Sequence, residues 1–144
     1  MTINTANARW QGDLPTGTGN VSFGGFQGEY SFKSRFEDGK GTNPEQLIAA
    51  AHAACFSMAF SHGLATAGFK PTSVETKANV ALAKDDTGFS ITEITLECDA
   101  DVPGITEAKF FEIAEAAKKG CPISKALAGV PSIKLNAKLK KAAA

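Results

Sequence analysis

The stretch that decides the fold is GTNPEQLIAAAHAACFSMAF, residues 41–60. Asn43 is a good N-cap, Pro44 suits a first helical position, and Thr42 stands three residues before Glu45, the spacing of a capping box. From Gln46 to Phe69 no side chain is formally charged, and alanine, glycine and serine fill the intervals between Leu47, Ile48, Phe56, Met58, Phe60 and Leu64. A helix apolar on most sides is expected to be buried on most sides. Its small residues admit close neighbours, a second copy of the same helix across a dimer axis among them. Gly68 is the expected C-cap, with Pro71 beyond it. Cys55 sits inside this run, either as a small apolar filler or as a sulfur that the helix holds for chemistry.

Upstream, GNVSFGGFQGEYSFKSRF (residues 19–36) reads as strand. Tyr30, Phe32, Ser34 and Phe36 fall on one face and Glu29, Ser31, Lys33 and Arg35 on the other, so Arg35 is expected to point away from the aromatic side. The glycines of EDGKG then mark a loop. Downstream, TSVETKANVALAK and GFSITEITLECDADV are joined at KDDTG and read as a β-hairpin. ITEAKFFEIAEAAKKG has helical period and stops at Gly120. Cys121 and Pro122 follow, which places Cys121 at or near the N-cap of a short helix, PISKALAGV. A last strand turns Ile133, Leu135, Ala137 and Leu139 inward and Lys134, Asn136, Lys138 and Lys140 outward. The closing KKAAA reads as a frayed tail.

The chain has 144 residues, a length that suits a single domain spanning 1–144. Lysine plus arginine equals aspartate plus glutamate at 15 each, so the basic footprint of a nucleic-acid binder is missing. A small-molecule or protein partner is expected instead. The polar N-terminus has no signal-peptide core and no uninterrupted apolar run of membrane-spanning length is evident, which points to a cytoplasmic protein without a membrane partner. Three cysteines, with no CxxC and no Cys/His pairs at zinc spacing, suggest neither a disulfide framework nor a metal site.

The three thiols read differently. Cys98 continues the face of Thr92, Ile94 and Leu96 and is expected to be core filler. Cys55 lies about three turns into its helix, too far from the N-terminus for the helix dipole to acidify it. To act as a nucleophile it needs an outside cation, and Arg35 is a better candidate than Lys33 because its planar fork can hold a thiolate and a substrate oxygen together. Cys121, beside Lys118 and Lys119 and at a helix start, has the stronger local case for a low pKa. His52 stands one turn before Cys55, so a Cys-His hydrolase dyad is conceivable, although a histidine satisfied within a core is the commoner case. His62 lies near the helix end and makes no ligand pattern with the others.

Arg35-Phe36-Glu37, the segment GTNPEQLIAAAHAACFSMA and the GCPIS of residues 120–124 together resemble the OsmC/Ohr family of thiol-dependent peroxidases, the OsmC branch more than the Ohr branch. The similarity runs over nearly the whole chain. It implies an α+β fold in which antiparallel sheets pack around a long central helix, and an intertwined homodimer. It also implies that Cys55 is the peroxidatic cysteine and Cys121 the resolving one, the reverse of the order that local acidity suggests. Arg35 would stabilise the thiolate and polarise the peroxide, and Glu45 would orient Arg35. Glu45 and Cys55 are ten positions apart, ~15 Å along one straight helix, so either Arg35 bridges them through its long side chain and a loop, or Glu45 arrives from the partner chain's helix, the second being the expectation.

The expected chemistry is reduction of organic hydroperoxides and hydrogen peroxide in oxidative or osmotic stress defence. It passes through a Cys55 sulfenic acid and a Cys55–Cys121 disulfide, which an external dithiol reductant reopens, a lipoyl-type carrier being one candidate. No cofactor is expected. The rival from another class is a homodimer enclosing a lipid or other hydrophobic ligand, with incidental thiols. A purely structural dimer would leave Arg35 and Cys121 unexplained.

Overall fold

Asn43 caps the long helix as its sequence dictates: in the computed structural model, which describes residues 1–140, its side-chain oxygen accepts from the Gln46 amide at 2.8 Å. The alternative capping box does not form. Thr42 bonds the Gln46 side chain, which leaves Glu45 free for another partner. The helix, α2, runs Pro44–Thr66. It ends in a Schellman turn, in which Phe69 N–H donates to the Leu64 carbonyl and Gly68 N–H to that of Ala65, with Gly68 at φ +92°.

The other elements are β1 (Asn7–Gln11), β2 (Thr18–Phe23), β3 (Phe26–Tyr30), α1 (Phe32–Phe36), β4 (Ser73–Asp85), β5 (Gly88–Asp101), α3 (Glu107–Gly120), α4 (Pro122–Ala126) and β6 (Ser132–Leu139). They divide into two compact units, residues 1–47 and 48 onward, and the first four residues of α2 fall in the first. The first unit carries the antiparallel sheet β1-β2-β3 and α1; the second carries the sheet β4-β5-β6, α3, α4 and the rest of α2. The tail beyond residue 140 lies outside the described residues.

Four expectations are corrected. The strand read through Tyr30–Phe36 ends at Tyr30, and Phe32–Phe36 is helical. Ser31 and Ser34 close a reciprocal capping box there, and Phe32 and Phe36 meet one turn apart with ring centroids at 5.0 Å, a pair that also satisfies alternation. Arg35 consequently does not point away from the aromatic side; its guanidinium lies 5.3 Å from the Phe36 ring centroid. Secondly, the sheets are not all antiparallel. β4 and β5 form the expected hairpin, but β6 pairs with β5 in parallel, because α3 and α4 carry the chain back to the starting end of the sheet.

Thirdly, α2 is buried along one stripe only. His52, Phe56, Phe60 and Leu64 recur every four residues and are fully buried, while Ala50, Ala51, Ala54 and Met58 are exposed, Met58 at 75%. Its 23 residues are also long and apolar enough to cross a membrane by length and composition alone, contrary to the absence expected; that stripe nonetheless packs inside the second unit. Fourthly, the short helix after Cys121 stops at Ala126 rather than reaching Val130.

The core of the second unit joins the α2 stripe to Ile94, Leu96, Cys98 and Ala100 of β5 and to Phe110, Ile113, Ala114 and Ala117 of α3. Cys98 is 1% exposed among them, the filler position expected of it. Phe60 lies at the junction, its ring against both Phe56 and Phe110 at centroid distances of 5.7 and 5.2 Å. Phe60→Ala removes both contacts and leaves a cavity, so it should lower unfolding stability by about 3–5 kcal/mol, read as a fall in the urea midpoint.

Candidate active site

Two constellations stand out, one in each unit. In the first, Arg35 of α1 forms a two-pronged pair with Glu45 in the first turn of α2. Nη2 lies 2.7 Å from one carboxylate oxygen and Nε 3.2 Å from the other. The pairing follows from local structure: Ser34 Oγ and the Asn43 side chain tie α1 to the chain just before α2. The fork-to-fork geometry fixes the plane of the guanidinium and leaves its remaining N–H groups to other acceptors. The arginine is 36% exposed and the glutamate 12%.

In the second unit, Cys55 and Cys121 lie close enough to act on each other's titration, and both are free thiols. α2 supplies Cys55, which is half-buried. Cys121 is fully buried and occupies a double position: it ends α3, its N–H bonding the Ala117 carbonyl, and it caps α4, its sulfur accepting from the Ser124 amide at 3.4 Å. Pro122 at the first position of α4 has no N–H to satisfy.

The two sulfurs titrate in opposite directions. Burial pushes the Cys55 thiol up, and its hydrogen bond to Cys121 adds to the effect. Burial would raise Cys121 as well, but hydrogen bonds from Cys55, from the Ser124 hydroxyl and from backbone amides outweigh it, so that thiol is pushed down. Of the two, Cys121 therefore gives up its proton more readily, in line with the acidity order expected from local position. Access runs the other way, since Cys121 is sealed and Cys55 is not.

His52 does not pair with Cys55. Its ring is fully buried, with Nε2 2.7 Å from Ser124 Oγ, and burial lowers its pKa. The Cys-His dyad is thus not assembled. Ser124 was passed over in the sequence; the available signal was a hydroxyl three residues after a capping cysteine, where a cap and its third helical residue meet. His62 is exposed. Among the described residues, no group of three or more His, Cys, Asp or Glu is arranged to hold a metal ion.

Comparison with known proteins places this geometry. Residues 37–136 match the family described as OsmC-like protein. The chain is 52% identical over 131 residues to the peroxiredoxin OsmC of Escherichia coli (strain K12), covering 88% of this chain and 92% of that protein. It is 40% identical over 100 residues to the organic hydroperoxide resistance protein OhrB of Bacillus subtilis (strain 168), covering 68% and 71%. The crystal structure of an OsmC-like protein from Mycoplasma pneumoniae superposes with a TM-score of 0.77 over 97% of this chain and 99% of that one at 19% identity, a likeness of fold. With a long capped helix bearing one cysteine, a second cysteine at a helix junction, and these matches over most of its length, the chain belongs to the OsmC-like family.

Proposed function

We propose that the protein is a cytoplasmic two-cysteine thiol peroxidase that reduces organic hydroperoxides, and hydrogen peroxide, in oxidative and osmotic stress defence. The observation that carries this is the presence of two free thiols, Cys55 and Cys121, that act on each other's titration, one partly accessible and one sealed. The names of the E. coli and B. subtilis relatives support the same reaction class.

Cys55 is the peroxidatic residue because a peroxide can reach only an accessible sulfur. Its thiolate attacks one peroxide oxygen; an S–O bond forms, the O–O bond breaks, and the departing alkoxide takes a proton to leave as an alcohol. The resulting sulfenic acid is captured by Cys121 as a disulfide with loss of water. A dithiol reductant reopens it by thiol exchange, and a lipoyl-type carrier is one candidate. No bound cofactor takes part.

Attack requires the proton that Cys55 holds in the resting pair to be given up, against the cost of burial. Arg35 offsets that cost, and Glu45 fixes its orientation. Because Arg35 and Glu45 are joined within one chain while Glu45 stands ten residues before Cys55 on α2, the pair serves the Cys55 of a second copy. The homodimer this requires is supported by the exposed apolar face of α2 at Ala50, Ala51, Ala54 and Met58, small enough for close helix approach. A monomeric variant with undiminished peroxidase rate would refute the shared site.

A non-reducing peptide map before and after one equivalent of an organic hydroperoxide tests the central claim. The expected result is a new link between Cys55 and Cys121 within one chain, with Cys98 still free. All three thiols remaining free would overturn it and favour a hydrophobic-ligand-binding dimer.

A further inference from the structure

The peroxidase reading leaves one buried group without a task. The one hydrogen bond of His52 among the described residues is to Ser124, its Nε2 lying 2.7 Å from Ser124 Oγ, and its Nδ1 has no partner there. Ser124 Oγ is in turn 3.5 Å from Cys121 Sγ, and the Ser124 amide approaches the same sulfur at 3.4 Å. A side chain from α2 is thus linked through a hydroxyl on α4 to the sulfur between α3 and α4.

We infer that His52 is a positioning residue for the resolving cysteine: through Ser124 it aims a hydroxyl proton at Cys121 Sγ and holds that sulfur ready to capture the Cys55 sulfenic acid. The inference rests on the two-cysteine cycle for its catalytic meaning, although the linkage itself is a property of the resting protein.

The direction of the chain follows from hydrogen counting. A neutral imidazole has one N–H, and a serine hydroxyl has one proton to give. If Ser124 gave its proton to His52, none would point at the sulfur, and the imidazole N–H would sit at Nδ1, a buried donor with nothing to accept it. If His52 carries its proton on Nε2, that N–H donates to Ser124 Oγ and the hydroxyl proton is turned to Cys121. Only the acceptor lone pair of Nδ1 is then unpaired. Burial keeps the ring neutral, which preserves a defined tautomer instead of an imidazolium with two donors. Among the described residues, Cys55 is the titratable group that acts on Cys121 directly, and His52 bonds the Ser124 hydroxyl that reaches the same sulfur.

The consequence falls on the second chemical step. The Cys121 thiol loses its proton to solvent, and the sulfur's electron pair forms the S–S bond. The S–O bond of the Cys55 sulfenic acid breaks, and hydroxide leaves and is protonated by solvent, so that one water is the net product. The Cys55 sulfur falls from the sulfenic to the disulfide level as Cys121 is oxidised from the thiol to that same level, so no additional oxidant is needed. With the hydroxyl removed, Cys121 spends less time as the thiolate and keeps its orientation less well.

Three measurements test this. Nitrogen NMR of the reduced protein should show His52 protonated at Nε2; protonation at Nδ1 would overturn the proposed direction of the chain, and this experiment needs no substitution. In a Cys55→Ala, Cys98→Ala background Cys121 is the one remaining thiol, so the thiolate absorbance step belongs to it. Ser124→Ala should move that step to higher pH, His52→Gln should move it the same way, and Ser124→Thr, which keeps a hydroxyl, should restore it. An unmoved step in Ser124→Ala would overturn the inference, and should His52→Gln fail to fold, the alanine and threonine pair together with the tautomer still decide it. Single-turnover mass spectrometry of Ser124→Ala with Cys55 intact should show the sulfenic acid persisting roughly tenfold longer before the disulfide forms, the loss expected for a hydrogen bond to a charged group. A parent protein that forms no disulfide would instead refute the peroxidase cycle, leaving the tautomer and titration results to stand or fall separately.

Discussion

Cys55→Ser abolishes peroxide consumption, whereas Cys121→Ser completes roughly one turnover and then accumulates Cys55 as sulfinic and sulfonic acid. The asymmetry is the result to watch, because acidity and access assign the roles oppositely. Of the pair, Cys121 gives up its proton more readily and Cys55 less, yet Cys121 is fully buried while Cys55 is only half-buried. A small concentration of a reachable thiolate outperforms a large concentration of an unreachable one. In Cys121→Ser the sulfenic acid has no sulfur to condense with, so a second and a third peroxide oxidise it further. Intact-mass measurement after stepwise addition of peroxide reads both outcomes. A sulfenate formed in Cys55→Ser, with Cys121→Ser inert, would reverse the roles and leave acidity as the deciding property.

Arg35→Lys should lower kcat/KM for an organic hydroperoxide on the order of 100-fold, the loss typical of a single removed transition-state donor. Charge is conserved in this substitution. What disappears is the fork that engages Glu45 through two nitrogens while other N–H groups face outward. A lysine in the same place can reach the carboxylate with its single ammonium, and is then oriented toward Glu45 and away from the substrate. The defect should appear in the rate of sulfenic acid formation, with the later disulfide step unaffected. Kinetics within twofold of the parent would remove Arg35 from the reaction and leave its pair with Glu45 as a connection between α1 and α2.

The long helix was legible because several independent signals agree on it: the Asn43 cap, Pro44 behind it and Gly68 at its end. The hairpin at residues 84–88 and the capping place of Cys121 were legible for the same reason, each fixed by chemistry within a few residues. What failed was ambiguous at short range. Phe32 and Phe36 satisfy both a strand's alternation and a helix's four-residue spacing, and the Ser31–Ser34 capping box that decides for helix lacks the acidic partner by which such boxes are usually recognised. The parallel placement of β6 depends on the path of α3 and α4, which no local pattern records. Cys55, Cys121, Arg35 and Glu45, and the pairing of the last two, were reachable through resemblance. The link from His52 to Ser124 was not, since it joins residues distant in sequence whose types are each ordinary.

The parallel register of β6 has a consequence for how the chain reaches its native state. β4 and β5 need only close a tight turn to begin pairing, a local event with little loop entropy to overcome. Ser132 meets Glu93, and Leu139 meets Ala100, only after the whole of α3 and α4 has been folded back between them. The third strand must therefore arrive late, and until it does, one long edge of β5 stands open with its amides and carbonyls unpaired. Cys98, which pairs with Ala137 in the finished sheet, lies on that edge. The filler thiol that plays no part in the proposed chemistry is consequently open to oxidation in a newly made chain until α2 and α3 have closed the core over that face of β5.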